Sequence, residues 1–202
     1  MRKNNKEKEK QIKKSQTRKF LILGVIILFF IAYSFYAHKK MTGKVELLEG
    51  LSIENIEKIE LEQKIRSMVS GYPIEDMVPC IIEKDPKVAA FMISIAKKES
   101  DWGRRCPKYK GRDCFNYWGY KGPNRIGSGG HSCFNSRKEA VDIVSKRIET
   151  LVYQKDLNTP AKMIVWKCGS TCSGHNSFGV RKWINDVNYY YKELQTRLYQ
   201  TL

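Results

Sequence analysis

The chain has 202 residues, 42% of them hydrophobic and 29% charged, with a formal net charge of +16. Residues 1–44 hold twelve basic and two acidic residues, which leaves 25 basic and 19 acidic residues, or about +6, for the remainder. The excess is mostly a membrane-topology signal and not a nucleic-acid footprint, and the chain shows no internal repeats and no nucleotide, haem or serine-nucleophile motif.

Residues 1–19 carry nine Lys or Arg against two Glu, a basic tail expected to stay in the cytoplasm. Residues 20–37 follow as an uncharged run of eighteen. At a rise of about 1.5 Å per residue this run reaches about 27 Å as a helix, close to the thickness of a bilayer's hydrocarbon core. Two readings compete for it. A cleaved signal peptide needs a small-x-small site, yet the best candidate ends at Ala37 with bulky Phe35 before it, and there is no lipobox cysteine. A signal anchor fits better. It predicts a single-pass transmembrane helix with Tyr33 and Tyr36 at the interface, the N-terminus inside, and the rest of the chain outside the cytoplasmic membrane.

Residues 38–70 are polar, with Leu47, Leu48, Leu51, Ile53, Ile56, Ile59, Leu61, Ile65 and Met68 as apolar residues mostly three or four apart. That spacing predicts an amphipathic juxtamembrane helix or linker. The repeat is too short and irregular for a coiled coil, so a spacer helix packed on the domain is the better reading, and the oligomeric state stays open. Gly71-Tyr72-Pro73 breaks the helix and opens a domain over residues 71–202, large enough for a core of its own. Asp85-Pro86 supplies an N-cap and a first-turn proline for a helix through Val88, Phe91, Ile95 and Ala96 to Glu99, which Gly103 and Pro107 should stop. Residues 108–133 contain Gly111, Gly119, Gly122, Gly127, Gly129 and Gly130 and predict loop or a small hairpin. Ser136 and Glu139 form a capping box ahead of Ala140, Ile143, Val144, Ile148 and Leu151. Thr159-Pro160 opens a short helix ending near Trp166, and a last helix starts near Ser177 with Trp183, Val187 and Leu194 inward. The expected class is mainly α, a helical domain with a small irregular or hairpin lobe, preceded by one transmembrane helix.

All six cysteines, Cys80, Cys106, Cys114, Cys133, Cys168 and Cys172, follow the apolar run. An even number in an oxidising compartment predicts disulfides for all of them. Cys168 with Cys172 is the easiest local bridge, and Cys114 with Cys133 would tie the ends of the glycine-rich segment. A zinc site at Cys168, Cys172 and His175 is the rival, but no second ligand pair follows. Neither a metal nor a cofactor is expected.

The densest chemical signal is Glu99-Ser100-Asp101-Trp102-Gly103, followed by Asn116-Tyr117-Trp118-Gly119-Tyr120-Lys121-Gly122. One carboxyl group stands at the end of an apolar helix, against an indole and ahead of a loop of glycines and aromatic rings. Cleaving a glycosidic bond requires a carboxylic acid that delivers a proton to the leaving oxygen, and such an acid is kept in apolar surroundings. Aromatic rings meet the CH faces of sugars, and fixed amides meet their polar edges.

Over roughly residues 73–194 this pattern resembles the bacterial peptidoglycan glucosaminidases of the lysozyme-like superfamily (mannosyl-glycoprotein endo-beta-N-acetylglucosaminidase-like domains), with Trp118 where Phe is usual. The resemblance implies an α+β lysozyme-like fold and Glu99 as general acid on the β-1,4 bonds of peptidoglycan glycan strands. It also implies substrate contacts from Trp102, Asn116, Tyr117, Trp118, Gly119, Tyr120, Lys121 and Tyr190. Residues 115–133, where some members carry a second acid, contain no Asp or Glu. The remaining candidates are Asp101, Asp113, Glu139 and Asp186, and a mechanism with one acid is favoured. The nucleophile is then the substrate's N-acetyl group, giving hydrolysis, or its own hydroxyl, giving an anhydro product. A muramidase, a lytic transglycosylase or an inactive wall-binding module on the same fold stay open. His131 and His175 receive no role.

Overall fold

The computed structural model describes residues 28–40 and 53–195. The basic tail, residues 20–27 of the apolar run, the stretch 41–52 and residues 196–202 lie outside the described residues. The chain divides into two units, Met1–Ile53 and Glu54–Leu202. In the first, residues 28–40 are helical (α1), with Leu28, Phe29, Phe30 and Phe35 exposed. Among the described residues no helix is long and apolar enough to cross a membrane. Of the span expected over 20–37, only residues 28–37 belong to them.

The second unit begins in α2 (Ile53–Val69). Leu61, Ile65 and Val69 stand four residues apart and are buried, so this helix packs on the domain, as the spacer reading expects. The compact unit takes in this helix from Glu54 onward. Gly71 adopts φ 75° and ends the helix, and its amide donates to Glu75 Oε2 at 2.8 Å. A 3-10 turn, Pro73–Met77, and a short helix α3 (Val78–Ile81) follow.

Helix α4 (Pro86–Ser100) is the centre of the fold. Asp85 Oδ1 accepts from the amides of Lys87 and Val88 at 2.9 and 3.1 Å, and Pro86 takes the first position, where no amide is needed. Every residue from 88 to 96 is buried. Each large side chain enclosed this way, Phe91 or Ile95 for instance, contributes about 1.5–3 kcal/mol. The long helix α7 (Ser177–Gln195) packs along α4 in the opposite direction: Phe91 meets Tyr191 at 4.3 Å between ring centroids, and Lys98 meets Asp186 at 2.6 Å. Helix α5 (Arg137–Glu149) also packs on α4, burying Ala140, Val141, Val144 and Ile148. Its cap departs from the expected box by one residue. Ser136 Oγ accepts from the Glu139 amide at 3.1 Å, but Glu139 reaches back to the amide of Asn135 at 2.7 Å. A π turn (Thr150–Gln154), a 3-10 turn (Lys162–Ile164) and α6 (Val165–Cys168) complete the helices.

The stop of α4 comes earlier than Gly103 and Pro107. Asp101 and Trp102 both take φ 53°, and their amides close the last turn onto the carbonyls of Lys97 and Ala96 at 3.0 and 3.1 Å. A left-handed residue other than glycine costs about 1–2 kcal/mol. Burial of the Trp102 indole, whose Nε1 donates to the Ile93 carbonyl at 2.9 Å, offsets that cost.

Between α4 and α5 lies a small lobe of two antiparallel ribbons. In one, β1 (Lys108–Tyr109) pairs with β2 (Arg112–Asp113), with Lys108 opposite Asp113. In the other, β3 (Arg125–Ile126) pairs with β4 (His131–Ser132), with Arg125 opposite Ser132. The fold is thus mainly helical with small antiparallel sheets. The Cys114–Cys133 disulfide ties the two ribbons together, and Cys168–Cys172 closes the loop after α6. Cys80 and Cys106 correct the expectation that all six cysteines are bridged: both are free. The Cys106 thiol instead donates to Asp113 Oδ1 at 3.0 Å, and burial with that carboxylate pushes it up to about 12.

Candidate active site

Glu99 projects from the last turn of α4 and is half-buried. Its Oε1 accepts a hydrogen bond from Trp183 Nε1 at 2.6 Å. Trp183 is buried on α7 and so cannot swing away, which fixes the carboxyl group. One turn along α7, Asp186 accepts from Lys98 at 2.6 Å and from Lys182 at 2.9 Å. Partial burial raises the Asp186 carboxyl, but the two ammonium groups outweigh it and hold the group below its ordinary range. Neighbouring residues of α4 are thus pinned to one face of α7.

The lobe is zipped along the same helix end by three successive residues. The Tyr117 carbonyl accepts from Ser100 Oγ at 2.7 Å, and Trp118 Nε1 donates to the Met92 carbonyl at 2.8 Å. Gly119 then lies beneath Glu99, where a Cβ would stand 3.5 Å from Glu99 Oε2. That distance is ordinary van der Waals contact, so it is the backbone, at φ 63°, that favours glycine here. Ser100 completes the join by accepting from the Gly103 amide at 2.9 Å.

Asn116 sets the shape of this turn. It is buried, its Oδ1 accepts from the Tyr120 amide at 2.9 Å, and its Nδ2 donates to the carbonyls of Tyr120 and Ser132, each at 2.8 Å. Both amide hydrogens are spent, so Asn116 holds the floor from within. Tyr117 and Trp118 are buried as well. The Tyr117 hydroxyl donates to Asp113 at 3.3 Å, and burial beside that carboxylate raises it well above the ordinary phenol range. These three expected contact residues support the floor without presenting side chains at the surface.

Other groups remain accessible. The Tyr120 ring stacks with Trp166 and with Phe134, at 5.9 and 6.5 Å between centroids, and Lys121 is exposed. Trp166 Nε1 donates to the Trp118 carbonyl at 2.8 Å, and His131 Nδ1 lies 3.2 Å from the Gly119 carbonyl. A carbonyl only accepts, so Nδ1 carries the proton there and Nε2 keeps its lone pair when the ring is neutral. Trp102 and Tyr190 sit in a separate aromatic cluster. Trp102 meets Tyr72 and Tyr190 edge-on at 4.8 and 5.3 Å, with Lys97 Nζ 4.2 Å from its centroid. Lys97 is also hydrogen-bonded to Asp101 at 2.7 Å, a bond that holds the Asp101 carboxyl below its ordinary range.

Each of the four other candidate carboxylates is engaged elsewhere. Asp101 is bound to Lys97, and Asp186 to Lys98 and Lys182. Asp113 accepts from Cys106, Tyr117 and the Phe115 amide, while Glu139 caps α5. Among the described residues, no group of three or more His, Cys, Asp or Glu could hold a metal ion.

Sequence reasoning missed Trp183 as the partner of Glu99, Ser100 as the joint between helix and lobe, and His131 under Gly119. Trp183 reads as an ordinary inward residue of an amphipathic helix. Its 84-residue separation from Glu99 leaves no local signal. Comparison of the chain with family models, curated proteins and solved structures finds no match.

Proposed function

We propose that this chain is a membrane-anchored peptidoglycan hydrolase on a lysozyme-like fold, cleaving glycan-strand β-1,4 bonds in the manner of an endo-beta-N-acetylglucosaminidase, with Glu99 as general acid. The carrying observation is the carboxyl group of Glu99, fixed by Trp183 on one oxygen and facing Gly119 with the other. Trp183 occupies Oε1, which leaves Oε2, over the Gly119 backbone, as the oxygen that delivers a proton. A strand lying along Gly119 and Tyr120 would place its glycosidic oxygen there. As the bond to that oxygen breaks, Oε2 gives up its proton and positive charge develops on the sugar.

The commitment of Asp101, Asp113, Glu139 and Asp186 to other partners favours a single protein acid, the nucleophile coming from the substrate. Attack by its N-acetyl group followed by water gives hydrolysis. Attack by its own hydroxyl gives an anhydro end, as in a lytic transglycosylase, and the same observation keeps that reading in play. Nine basic residues ahead of an uncharged run of eighteen support an uncleaved anchor that holds the domain outside, within reach of the membrane.

Digestion of purified peptidoglycan with the full chain, read by fragment mass, tests the reading. Reducing N-acetylglucosamine ends are expected. Reducing N-acetylmuramic acid ends would mean a muramidase, anhydro ends a transglycosylase, and an absence of fragments a wall-binding module.

A further inference from the structure

The charge of the chain beyond residue 44 is not spread evenly. Residues 104–133 carry seven basic side chains, Arg104, Arg105, Lys108, Lys110, Arg112, Lys121 and Arg125, against one acid, Asp113. That net +6 equals the whole excess beyond residue 44, and the rest balances to zero. All seven basic residues are exposed. Asp113 does not neutralise them, because its carboxylate is turned to Cys106, Tyr117 and the Phe115 amide. Among the described residues, only Arg104 has a carboxylate within ion-pair distance, Asp101 at 3.8 Å. Four of these charges, Lys108, Lys110, Arg112 and Arg125, lie on the two ribbons, Arg104 and Arg105 lead into the first, and Lys121 lies between the two. Cys114–Cys133 joins the ribbons, and Arg112 reaches to the Phe134 carbonyl at 3.0 Å. The same lobe supplies Gly119 beneath Glu99.

We infer that the small lobe is an anion-reading surface that draws glycan strands bearing carboxylate or phosphate groups onto the Glu99 site. A concentrated field beside a reactive group raises the local concentration of oppositely charged ligand and its rate of encounter, by about 10- to 1,000-fold at low salt. The identity of the strand rests on the function proposed above; the surface itself does not. Carboxylates of peptide side groups and phosphates of an attached polymer offer the same chemistry, so the test separates them.

Binding of the full chain to insoluble strands is measured in the Glu99→Gln background, so that no turnover intervenes. Arg105, Lys108 and Lys110 are changed together to Gln. A control changes Lys146, Arg147 and Lys155, exposed and outside the lobe, by the same net charge. The lobe variant should bind about tenfold more weakly at about 50 mM salt, with unchanged thermal unfolding, and the difference should vanish near 1 M, where screening acts over about 3 Å. The control should bind like its parent. Equal loss in both variants would reduce the effect to net charge and overturn the inference, as would no loss in either. Amidating the strand carboxylates, or stripping attached phosphate polymer, should abolish the salt-sensitive part in one arm and so name the source; persistence through both treatments would overturn it. Equal affinity for a DNA duplex would mean indiscriminate polyanion binding and would also overturn it. Failure of the wild-type chain to cut any strand would sink the proposed hydrolase, while the salt-dependent binding would stand.

Discussion

Glu99 stands where two regions built by different physics meet. On one side, α4 and α7 are held by apolar burial and by ion pairs at their edge, Phe91 against Tyr191 and Lys98 against Asp186. On the other, the lobe has only two-residue strands, and its shape comes from a disulfide, the side chain of Asn116 and left-handed residues such as Phe115 and Gly119. The helical side can lose a contact and keep its form, because many contacts share the load. The lobe cannot, because single groups each satisfy several partners. The helices thus carry the Glu99 carboxyl group, and the lobe provides a floor whose geometry depends on a few hydrogen bonds.

The largest effect expected on this junction is chemical. Glu99→Gln keeps the volume and an oxygen for Trp183 but removes the transferable proton, and glycan cleavage should fall by about 10²–10⁴-fold with thermal unfolding unchanged. Retention of more than roughly a tenth of the activity would remove Glu99 from the role, given the usual weight of a general acid. Next comes the lobe. Asn116→Ala leaves the Tyr120 amide and the Ser132 carbonyl without their partner, at about 1–3 kcal/mol for each buried group left unsatisfied, while the Tyr120 carbonyl keeps the Ser132 amide at 2.9 Å. Denaturant unfolding should show that loss, and a neutral result would mean that water replaces the side chain.

Gly119→Ala probes the contact between the regions. The backbone at φ 63° disfavours alanine by about 1–2 kcal/mol, and the new methyl group meets Glu99 Oε2, so activity should fall further than stability does. Equal losses in the two measurements would reduce Gly119 to a turn residue. Trp183→Phe keeps the ring but removes the donor to Glu99. A fall of about tenfold in kcat, with little change in KM, is expected for an acid whose orientation is loosened. A larger loss of stability than of kcat would make the indole a core residue only.

The smallest effect is the pH response of the helical side. The carboxyls of Asp101 and Asp186 are held below their ordinary range in the fold. Their contribution is therefore present above the unfolded value, near pH 4, and is lost as pH falls through the lower folded values. Both groups are partly solvated, so the loss should be modest. In Asp186→Asn the fall of stability below about pH 4 should be shallower, and an unchanged slope would show that Lys98 and Lys182 contribute nothing there.

The sequence by itself determined the local frame: the Asp85-Pro86 start of α4, the Ser136 cap of α5, the glycine-rich interruption between them and the single carboxyl group at the helix end. Each of these is written in contiguous residues, through capping, proline geometry and backbone freedom. The Cys114–Cys133 and Cys168–Cys172 pairs were legible for the same reason, since both close short segments. Only the tertiary structure decided that Cys80 and Cys106 are free and that Asn116, Tyr117 and Trp118 support the floor from within. It also decided that Trp183 holds Glu99. Those are relations between residues far apart in the chain, fixed by which faces exclude water together, and no local pattern of residue types encodes them.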